Sequence, residues 1–235
     1  MAEIYLIRHG QASFGSEDYD RLSPLGTRQA EVLGEYFRDH GIVFDAAYSG
    51  DLLRQRETAR LALASQPREV PHHVDARFNE IQNDEQLKYL VPEVVKTNPT
   101  VQTLMERGLS SSKDYQKVID AVFNHWVSPA CNEPRIQSWG EYSGAVRQGL
   151  SELMATQGGG KTLGIFTSGG TIATIVSQVL GLSGEHAYKF YEPVFNCSVS
   201  QLFYSGERIS LSYFNDRSFL QVLGARNGEN LLSYR

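Results

Sequence analysis

The chain has 235 residues, of which 41% are hydrophobic, and a formal net charge of −5 from 22 basic and 27 acidic side chains. This length and apolar content suffice for one large α/β domain and argue against a mainly disordered chain. No basic run is present, so neither nucleic acid nor an anionic membrane is an expected partner. Without a secretory signal pattern or a stretch of ~20 apolar residues, the chain is expected to be cytoplasmic.

The N-terminal segment, residues 3–11 (EIYLIRHGQ), is an apolar run that ends in a cation, an imidazole and a glycine. The run predicts a buried strand, and Gly10 marks the turn that leaves it. Arg8 and His9 then lie at the carboxyl end of this strand, where open α/β sheets bind ligands. A guanidinium forks onto phosphate oxygens and a neutral imidazole nitrogen can attack phosphorus, although a capping or salt-bridging pair also fits this tripeptide.

The following residues alternate between helix and strand patterns. Ser23 is a predicted N-cap for a helix over residues 24–40, a strand is predicted over 44–49, and a second helix over 51–65. This alternation is typical of parallel βα units. Three arginines lie on the second helix, and the periodicity does not select which of them faces inward; they are Arg54, Arg56 and Arg60.

Three segments resemble a known family when they are taken together: residues 8–10 (RHG), 22–30 (LSPLGTRQA) and 49–59 (SGDLLRQRETA). In order and spacing they are similar to the signature blocks of the histidine phosphatase superfamily, the phosphoglycerate-mutase-like proteins. The resemblance implies that His9 is the nucleophile that becomes phosphorylated. It also implies that two side chains hold the phosphate oxygens, namely Arg8 and Arg54.

Glu80 matches the glutamate of this family that protonates the leaving oxygen and later activates water. The resemblance places it in a loop that follows a strand within residues 69–80. An alkoxide is a poor leaving group unless protonated, and apolar neighbours such as Phe78 can raise the pKa of a carboxyl so that it donates. A surface glutamate is the alternative interpretation, and Asp84 and Glu85 are close enough in sequence to compete for the role.

A metal site is the less favoured interpretation of the remaining ligand-type residues. His72 and His73 are adjacent, with Asp75 nearby, but no further ligand stands at metal-site spacing. Cys131 and Cys197 are far apart and form no CxxC pattern, so neither a disulfide framework nor a zinc site is indicated. We expect no metal and no cofactor, because two arginines and a helix N-terminus can stabilise the phosphoryl charge.

Residues 83–135 have helical patterns without strands. Amphipathic helices are predicted over 85–96 and 112–126, separated by a break at Asn98-Pro99 and a Gly/Ser linker. We interpret this segment as a helical cap inserted into a single domain of 235 residues and expect substrate choice to depend on it.

The third strand-to-helix junction carries a glycine pair. A helix over residues 138–156 precedes a buried strand at 162–167, and the next helix is predicted from residue 172. Backbone N–H groups at such a turn favour anions, so Ser168 and Gly169 are predicted to bind phosphate oxygens, with Ser168 also placed to cap the helix. Gln11, after the first strand, is a further candidate phosphate ligand.

At this junction the chain departs from the family. The usual block has a histidine followed by two glycines, and that second histidine completes the phosphate pocket; Ser168 stands in its place. A neutral hydroxyl donates a weaker hydrogen bond than a cation. A slow enzyme, or a non-catalytic protein that binds a phosphate ligand, is therefore an alternative.

The last two strands, residues 196–204 and 208–216, predict a hairpin at the edge of the sheet. The predicted fold is a three-layer α/β fold, with a mostly parallel sheet and helices on both faces.

The predicted function is metal-independent hydrolysis of a small phosphorylated substrate through a phosphohistidine on His9. Phosphoglycerate-mutase-type phosphoryl transfer is the other alternative, which is disfavoured because residues 81–85 lack the glycines that follow the glutamate in the family's mutases. The sequence leaves open whether the chain forms a homodimer.

Overall fold

Six strands form one sheet in the computed structural model, which describes residues 1–13 and 20–234. They are β1 (Ala2–Arg8), β2 (Ala46–Ser49), β3 (His72–Val74), β4 (Thr162–Thr167), β5 (Val199–Ser205) and β6 (Arg208–Asp216). The order across the sheet is β3-β2-β4-β1-β5-β6. The first four strands in this order are mutually parallel, and β5 and β6 add an antiparallel hairpin at one edge, which confirms the predicted mostly parallel sheet.

Nine α-helices accompany the sheet within the described residues. They are α1 (Pro24–Asp39), α2 (Leu53–Leu63), α3 (Asn83–Thr97), α4 (Pro99–Arg107), α5 (Ser112–Val127), α6 (Trp139–Gln157), α7 (Gly169–Val179), α8 (Ala187–Tyr191) and α9 (Ser218–Asn227). None of the helices in this part of the chain is both long and apolar enough to cross a bilayer.

Most helix boundaries shift by one or two residues from the sequence-based predictions, and two helix starts differ more. The predicted break at Asn98-Pro99 is the start of α4, because the Asn98 side chain accepts hydrogen bonds from the N–H groups of Thr100 and Val101 and Pro99 occupies the first helical position. Helix α7 begins at Gly169 instead of residue 172. The glycine pair therefore lies in the first turn of the helix.

Alternate residues of β1 point to opposite faces of the sheet, and each face has its own core. Ile4 and Leu6 pack in the larger core, which also contains buried residues of the segment from α3 to α5, such as Leu90 and Val122. Ile7 packs in the second core, together with buried side chains of α1, α2 and α9. Helices on both faces of one sheet confirm the predicted three-layer α/β architecture.

The parallel pairing brings three strand ends to one edge of the sheet. Arg8 at the end of β1 pairs with Thr167 at the end of β4, and Ser49 at the end of β2 pairs with Phe166. The loops that follow β1, β2 and β4 therefore leave the sheet side by side, as expected for a ligand-binding edge.

Candidate active site

His9 is the central side chain of the site and is 4% exposed. Its ring Nδ1 lies 2.7 Å from the carbonyl oxygen of Gly10, a contact in which Nδ1–H donates. The lone pair is then on Nε2. Burial lowers the pKa of His9 well below its usual value, and Arg8 and Arg54 lower it further. The imidazole is thus neutral, with a nucleophilic nitrogen opposite the backbone contact.

Arg54 lies in the first turn of α2 and contacts the nucleophilic side of His9. Its Nε is 3.2 Å from His9 Nε2, and its Nη1 is 2.6 Å from a carboxylate oxygen of Asp20. The second Asp20 oxygen accepts from the backbone N–H of Leu53 at 2.7 Å. Asp20 therefore joins the start of α2 to the guanidinium, a role that the sequence patterns did not reveal.

Thr58 fixes the turn that carries His9. Its hydroxyl accepts from the N–H of Gly10 at 3.0 Å and donates to the carbonyl of Arg54 one helical turn earlier. Thr58 lies within the segment that resembles the family block, but no sequence signal assigned it this contact.

Arg8 points from the end of β1 toward the same group of charges. Its Nη1 donates to the carbonyl oxygens of Val194 and of Tyr234, the latter at 3.0 Å. Its charge acts on both His9 and Glu80, lowering the pKa of each. The structure therefore brings together the two arginines that were predicted to hold phosphate oxygens.

Glu80 follows a short 3₁₀ turn (Ala76–Phe78) and reaches the start of α7. Its Oε1 accepts from the N–H groups of Ile81, at 2.9 Å, and Gly170, at 3.0 Å. Desolvation raises the pKa of Glu80, while these hydrogen bonds and the charges of Arg54 and Arg8 lower it; the net shift is upward. A carboxyl with a raised pKa that interacts with the same two arginines as His9 suits proton donation.

Buried Tyr142 and half-buried Tyr191 lie close enough to Glu80 to interact with its charge. Burial raises the pKa of Tyr142 and of Tyr191, and the Glu80 carboxylate raises both further. The Tyr191 hydroxyl accepts from the amide of Asn83, at the start of α3, at 2.8 Å. A Cβ added to Gly169 would lie 3.1 Å from the Tyr191 ring, so the start of α3 is joined to the site through this tyrosine.

Ser168 is fully buried, and its Oγ accepts from Gln55 Nε2 at 2.8 Å. It makes no side-chain capping hydrogen bond to α7, so the prediction that it caps this helix is wrong. The role of Ser168 as a phosphate ligand stays a prediction. Gly169 opens α7, and a Cβ there would lie 3.7 Å from Arg8 Nε, which places this turn beside the arginine.

Gln11 uses its side chain in the loop that precedes α1. Its Oε1 accepts from the hydroxyl of Ser23 at 2.8 Å, and its backbone N–H donates to Gln29. These contacts tie the loop to the N-terminus of α1. A contact between Gln11 and a phosphoryl group stays a prediction.

The histidine pair that suggested a metal site makes other contacts. His72 Nε2 lies 2.9 Å from the Ser49 hydroxyl, and the His73 ring packs on Tyr48 with centroids 5.1 Å apart. The Asp75 carboxylate is paired with Arg77 at 2.7 Å. In residues 1–13 and 20–234, no three His, Cys, Asp or Glu side chains are grouped closely enough to hold a metal ion.

Comparison with known proteins connects this geometry to one family. The profile of the "Histidine phosphatase superfamily (branch 1)" matches residues 4–107 and 103–217. A broad-specificity phosphatase of Saccharomyces cerevisiae is 28% identical over 206 residues, which cover 84% of this chain and 77% of the yeast protein.

Solved structures show the same fold. A phosphoserine phosphatase mutant from Entamoeba histolytica, in complex with phosphoserine, has a TM-score of 0.64 at 20% identity, covering 94% of this chain and 100% of its own. A phosphoglycerate mutase from Bacillus anthracis has a TM-score of 0.65 at 22% identity, covering 93% and 94%. At these identities the similarity concerns the fold alone.

Proposed function

The chain belongs to the histidine phosphatase superfamily (branch 1), and we propose that it hydrolyses small phosphomonoesters through a phosphohistidine on His9. The observation that carries the proposal is the pair of contacts of the His9 ring: Nδ1–H donates to Gly10, and Nε2 lies against Arg54. A neutral imidazole in a fixed tautomer, with a cation at its nucleophilic nitrogen, suits attack on a phosphoryl group.

In the first step, the lone pair of His9 Nε2 forms the bond to phosphorus as the bond to the ester oxygen breaks. The leaving oxygen takes the proton of the Glu80 carboxyl and departs as an alcohol. Arg8 and Arg54 hold the phosphoryl oxygens, and the N-terminal turn of α7, from Gly169, adds backbone N–H groups and the positive end of the helix dipole.

In the second step, the Glu80 carboxylate takes a proton from water, whose oxygen attacks phosphorus. The bond between phosphorus and His9 Nε2 breaks, inorganic phosphate leaves, and the neutral imidazole and protonated carboxyl are restored. The raised pKa of Glu80 supports both roles, because a carboxyl that titrates nearer neutrality is both a usable acid and a usable base.

Ser168 takes part in this scheme as a neutral donor in the place where the family block has a second histidine. Its burial at the end of β4, directly after the strand that pairs with β1, supports a position at the phosphoryl group. We expect slower phosphoryl transfer than with a cationic donor, because charge-assisted hydrogen bonds are about twice as strong.

The segment from α3 to α5 is proposed to act as the helical cap over residues 83–135 that determines substrate choice. The hydrogen bond from Asn83 to Tyr191 supports this, because it joins the first residue of α3 to the side chain beside Gly169. A small phosphorylated molecule is the proposed substrate. The yeast relative is a phosphatase of broad specificity, which supports hydrolysis of more than one ester.

Phosphoglycerate-mutase-type transfer is the second candidate, because a phosphoglycerate mutase shares the fold. Residues 81–85 (IQNDE) lack the glycine-rich block that follows the equivalent glutamate in mutases. Hydrolysis is therefore preferred. A mutase would convert added phosphoglycerate without net release of phosphate, which distinguishes the two reactions.

The test is phosphate release from p-nitrophenyl phosphate in the presence of a chelator, over about pH 5 to 8. We expect chelator-resistant hydrolysis by the wild type, none by His9→Ala, and wild-type rates for His40→Ala, a control at an exposed histidine. Acid-labile, base-stable phosphate bound to the wild type alone identifies the phosphohistidine. Absence of turnover, with phosphate still raising the melting temperature, would instead indicate a non-catalytic binding protein.

A further inference from the structure

The hydrogen bond between Gln55 and Ser168 defines the donors and acceptors at the buried end of the site. Both side chains are fully buried. Gln55 Nε2 donates to Ser168 Oγ at 2.8 Å and to the carbonyl oxygen of Phe78 at 3.2 Å. Since an amide nitrogen has two protons, both donors of Gln55 are used and the orientation of its amide is set.

Because Ser168 Oγ accepts from Gln55, the hydroxyl proton of Ser168 can be donated only to another acceptor. A hydroxyl has one proton and two lone pairs, and Gln55 occupies one of the lone pairs. Among the described residues, Ser168 Oγ makes no hydrogen bond other than the one it accepts from Gln55. A buried hydroxyl proton without an acceptor costs free energy, so an acceptor supplied by a ligand would satisfy it.

The surrounding backbone leaves room for the Gln55 amide. A Cβ added to Gly50 would overlap Gln55 Oε1, so only glycine fits beside this amide. Gln55 Oε1 is itself a buried acceptor without a hydrogen-bond partner in the part of the chain that the structure describes. Gln55 thus occupies a space shaped for it while leaving one of its own polar atoms unsatisfied.

Ser168 and Gln55 lie at the end of β4 and at the start of α2, the two elements whose neighbouring residues contact His9. Ser168 follows Thr167, whose carbonyl oxygen accepts from the N–H of His9 at 2.8 Å. Gln55 follows Arg54 in α2, and Arg54 contacts His9 directly. Ser168 and Gln55 are therefore each one residue away from a group that contacts His9.

We propose that Gln55 is a positioning residue that keeps the Ser168 hydroxyl as a donor to a phosphoryl oxygen. Together the two side chains supply the donor and fill the space that a second histidine would require. This role rests on the proposed function, because it needs a phosphoryl group at His9. In this assignment the neutral Ser168 hydroxyl, positioned by Gln55, is the donor at the place where the family has a second histidine.

A double-mutant cycle tests the role, with kcat/KM for p-nitrophenyl phosphate and the affinity for inorganic phosphate as readouts. We expect Ser168→Ala to lower kcat/KM on the order of 10²-fold. Gln55→Met keeps the volume of the side chain but has no N–H, and we expect it to cost about 10-fold in the wild type and less than about 2-fold in Ser168→Ala. Equal losses from Gln55→Met in both backgrounds would overturn the role.

Gln55→Glu separates positioning from packing, because it keeps the shape of the side chain. A carboxylate accepts the Ser168 proton and adds negative charge, so we expect weaker binding of inorganic phosphate than in Gln55→Met. Stronger or equal binding would overturn the proposal. Thermal melts identify any variant that fails to fold. If Gln55→Met does not fold, the near-isosteric Gln55→Glu replaces it as the test of positioning, with wild-type affinity for inorganic phosphate as the reference.

The room that Gln55 occupies is tested with an introduced histidine. We expect Gln55→Ala combined with Ser168→His to exceed Ser168→His alone in kcat/KM, because the imidazole needs the volume of the amide. The opposite order would overturn the shared space. A wild type that neither hydrolyses the ester nor binds inorganic phosphate would contradict the proposed function itself, whereas an active wild type with additive variants would contradict only Gln55.

Discussion

The guanidinium Nε of Arg54 lies 3.2 Å from Nε2 of His9, the nitrogen that carries the lone pair. A phosphoryl group that bonds to this nitrogen must enter between the two side chains. In the proposed reaction, Arg54 is therefore placed to bind the incoming oxygens. Arg60, on the same helix, is exposed and pairs with Glu57, so neighbouring arginines of α2 have different roles.

Arg54→Lys tests this difference. Lysine keeps the charge but has no planar fork, so we expect kcat/KM to fall on the order of 10²-fold. Arg60→Lys is the matched control and should leave kcat/KM unchanged, because its side chain is 62% exposed. Equal effects of the two substitutions on kcat/KM would contradict the proposed role of Arg54 in binding phosphoryl oxygens.

The pH dependence of activity follows from two opposite pKa shifts. The pKa of His9 lies below its usual value of 6.5, so the neutral nucleophile persists as the pH falls through that value. The pKa of Glu80 lies above its usual value of 4.5, so the acid form persists above that pH. We expect kcat/KM to decline on the acid side below the usual histidine range and on the alkaline side above the usual glutamate range.

Glu80→Gln tests whether the decline of kcat/KM at alkaline pH arises from deprotonation of Glu80. The amide cannot give up a proton, so the decline should vanish while the rate falls about 10²-fold or more. An alkyl phosphate, whose leaving group needs a proton, should lose more than p-nitrophenyl phosphate, whose leaving group does not. Equal losses with both esters would show that Glu80 is not the acid.

Gly170→Ala tests the contact that holds Glu80. A Cβ at this position would overlap Glu80 Oε1 and the Ile81 side chain, and the Gly170 N–H donates to the same carboxyl oxygen. We expect displacement of Glu80 and a loss of kcat of about 10-fold or more. Gly159→Ala is the control, since nothing lies within 4 Å of its added Cβ. An unchanged kcat in Gly170→Ala would contradict the assigned position of Glu80.

Asp20 places a negative charge next to the proposed phosphate site, with its Oδ1 2.6 Å from Nη1 of Arg54. Asp20→Asn keeps an acceptor for the N–H of Leu53 but removes this charge, so we expect KM for a phosphate dianion to fall about 3-fold at low salt, and less at high salt. Asp39→Asn changes the net charge equally on an exposed side chain paired with Arg38. A similar decrease in that variant would indicate a general charge effect.

Asn98→Ala tests the start of α4. The side chain accepts from two backbone N–H groups, and loss of an N-cap costs about 1 kcal/mol of unfolding free energy. Asn124→Ala, at an exposed position within α5, should change this free energy by less than about 0.5 kcal/mol. Denaturant unfolding measures both, and equal values would show that the cap contributes nothing.

Local patterns predicted much of the fold. The apolar run of β1 and the strand at residues 162–167 form where they were predicted, and the final hairpin forms with its first strand at Val199–Ser205 instead of 196–204. Helix α4 was not predicted, because Asn98 and Pro99 are typical both of a helix break and of a helix start. A cap depends on which backbone N–H groups the side chain reaches, and that is a property of the folded geometry.

By itself, the sequence determined that an arginine and a histidine end a buried strand, that a second arginine opens a helix, and that a glutamate follows a third strand. Short-range patterns carry the strand that ends in Arg8 and His9 and the helix that follows the second strand. The choice of Arg54 on that helix and the strand before Glu80 come from the resemblance to the family. Only the tertiary structure decided that the N–H of Gly170 donates to Glu80, that Gln55 donates to Ser168, and that Asp20 pairs with Arg54. Those partners are separated by 90, 113 and 34 residues, and only the packing of strand ends at one sheet edge brings them together.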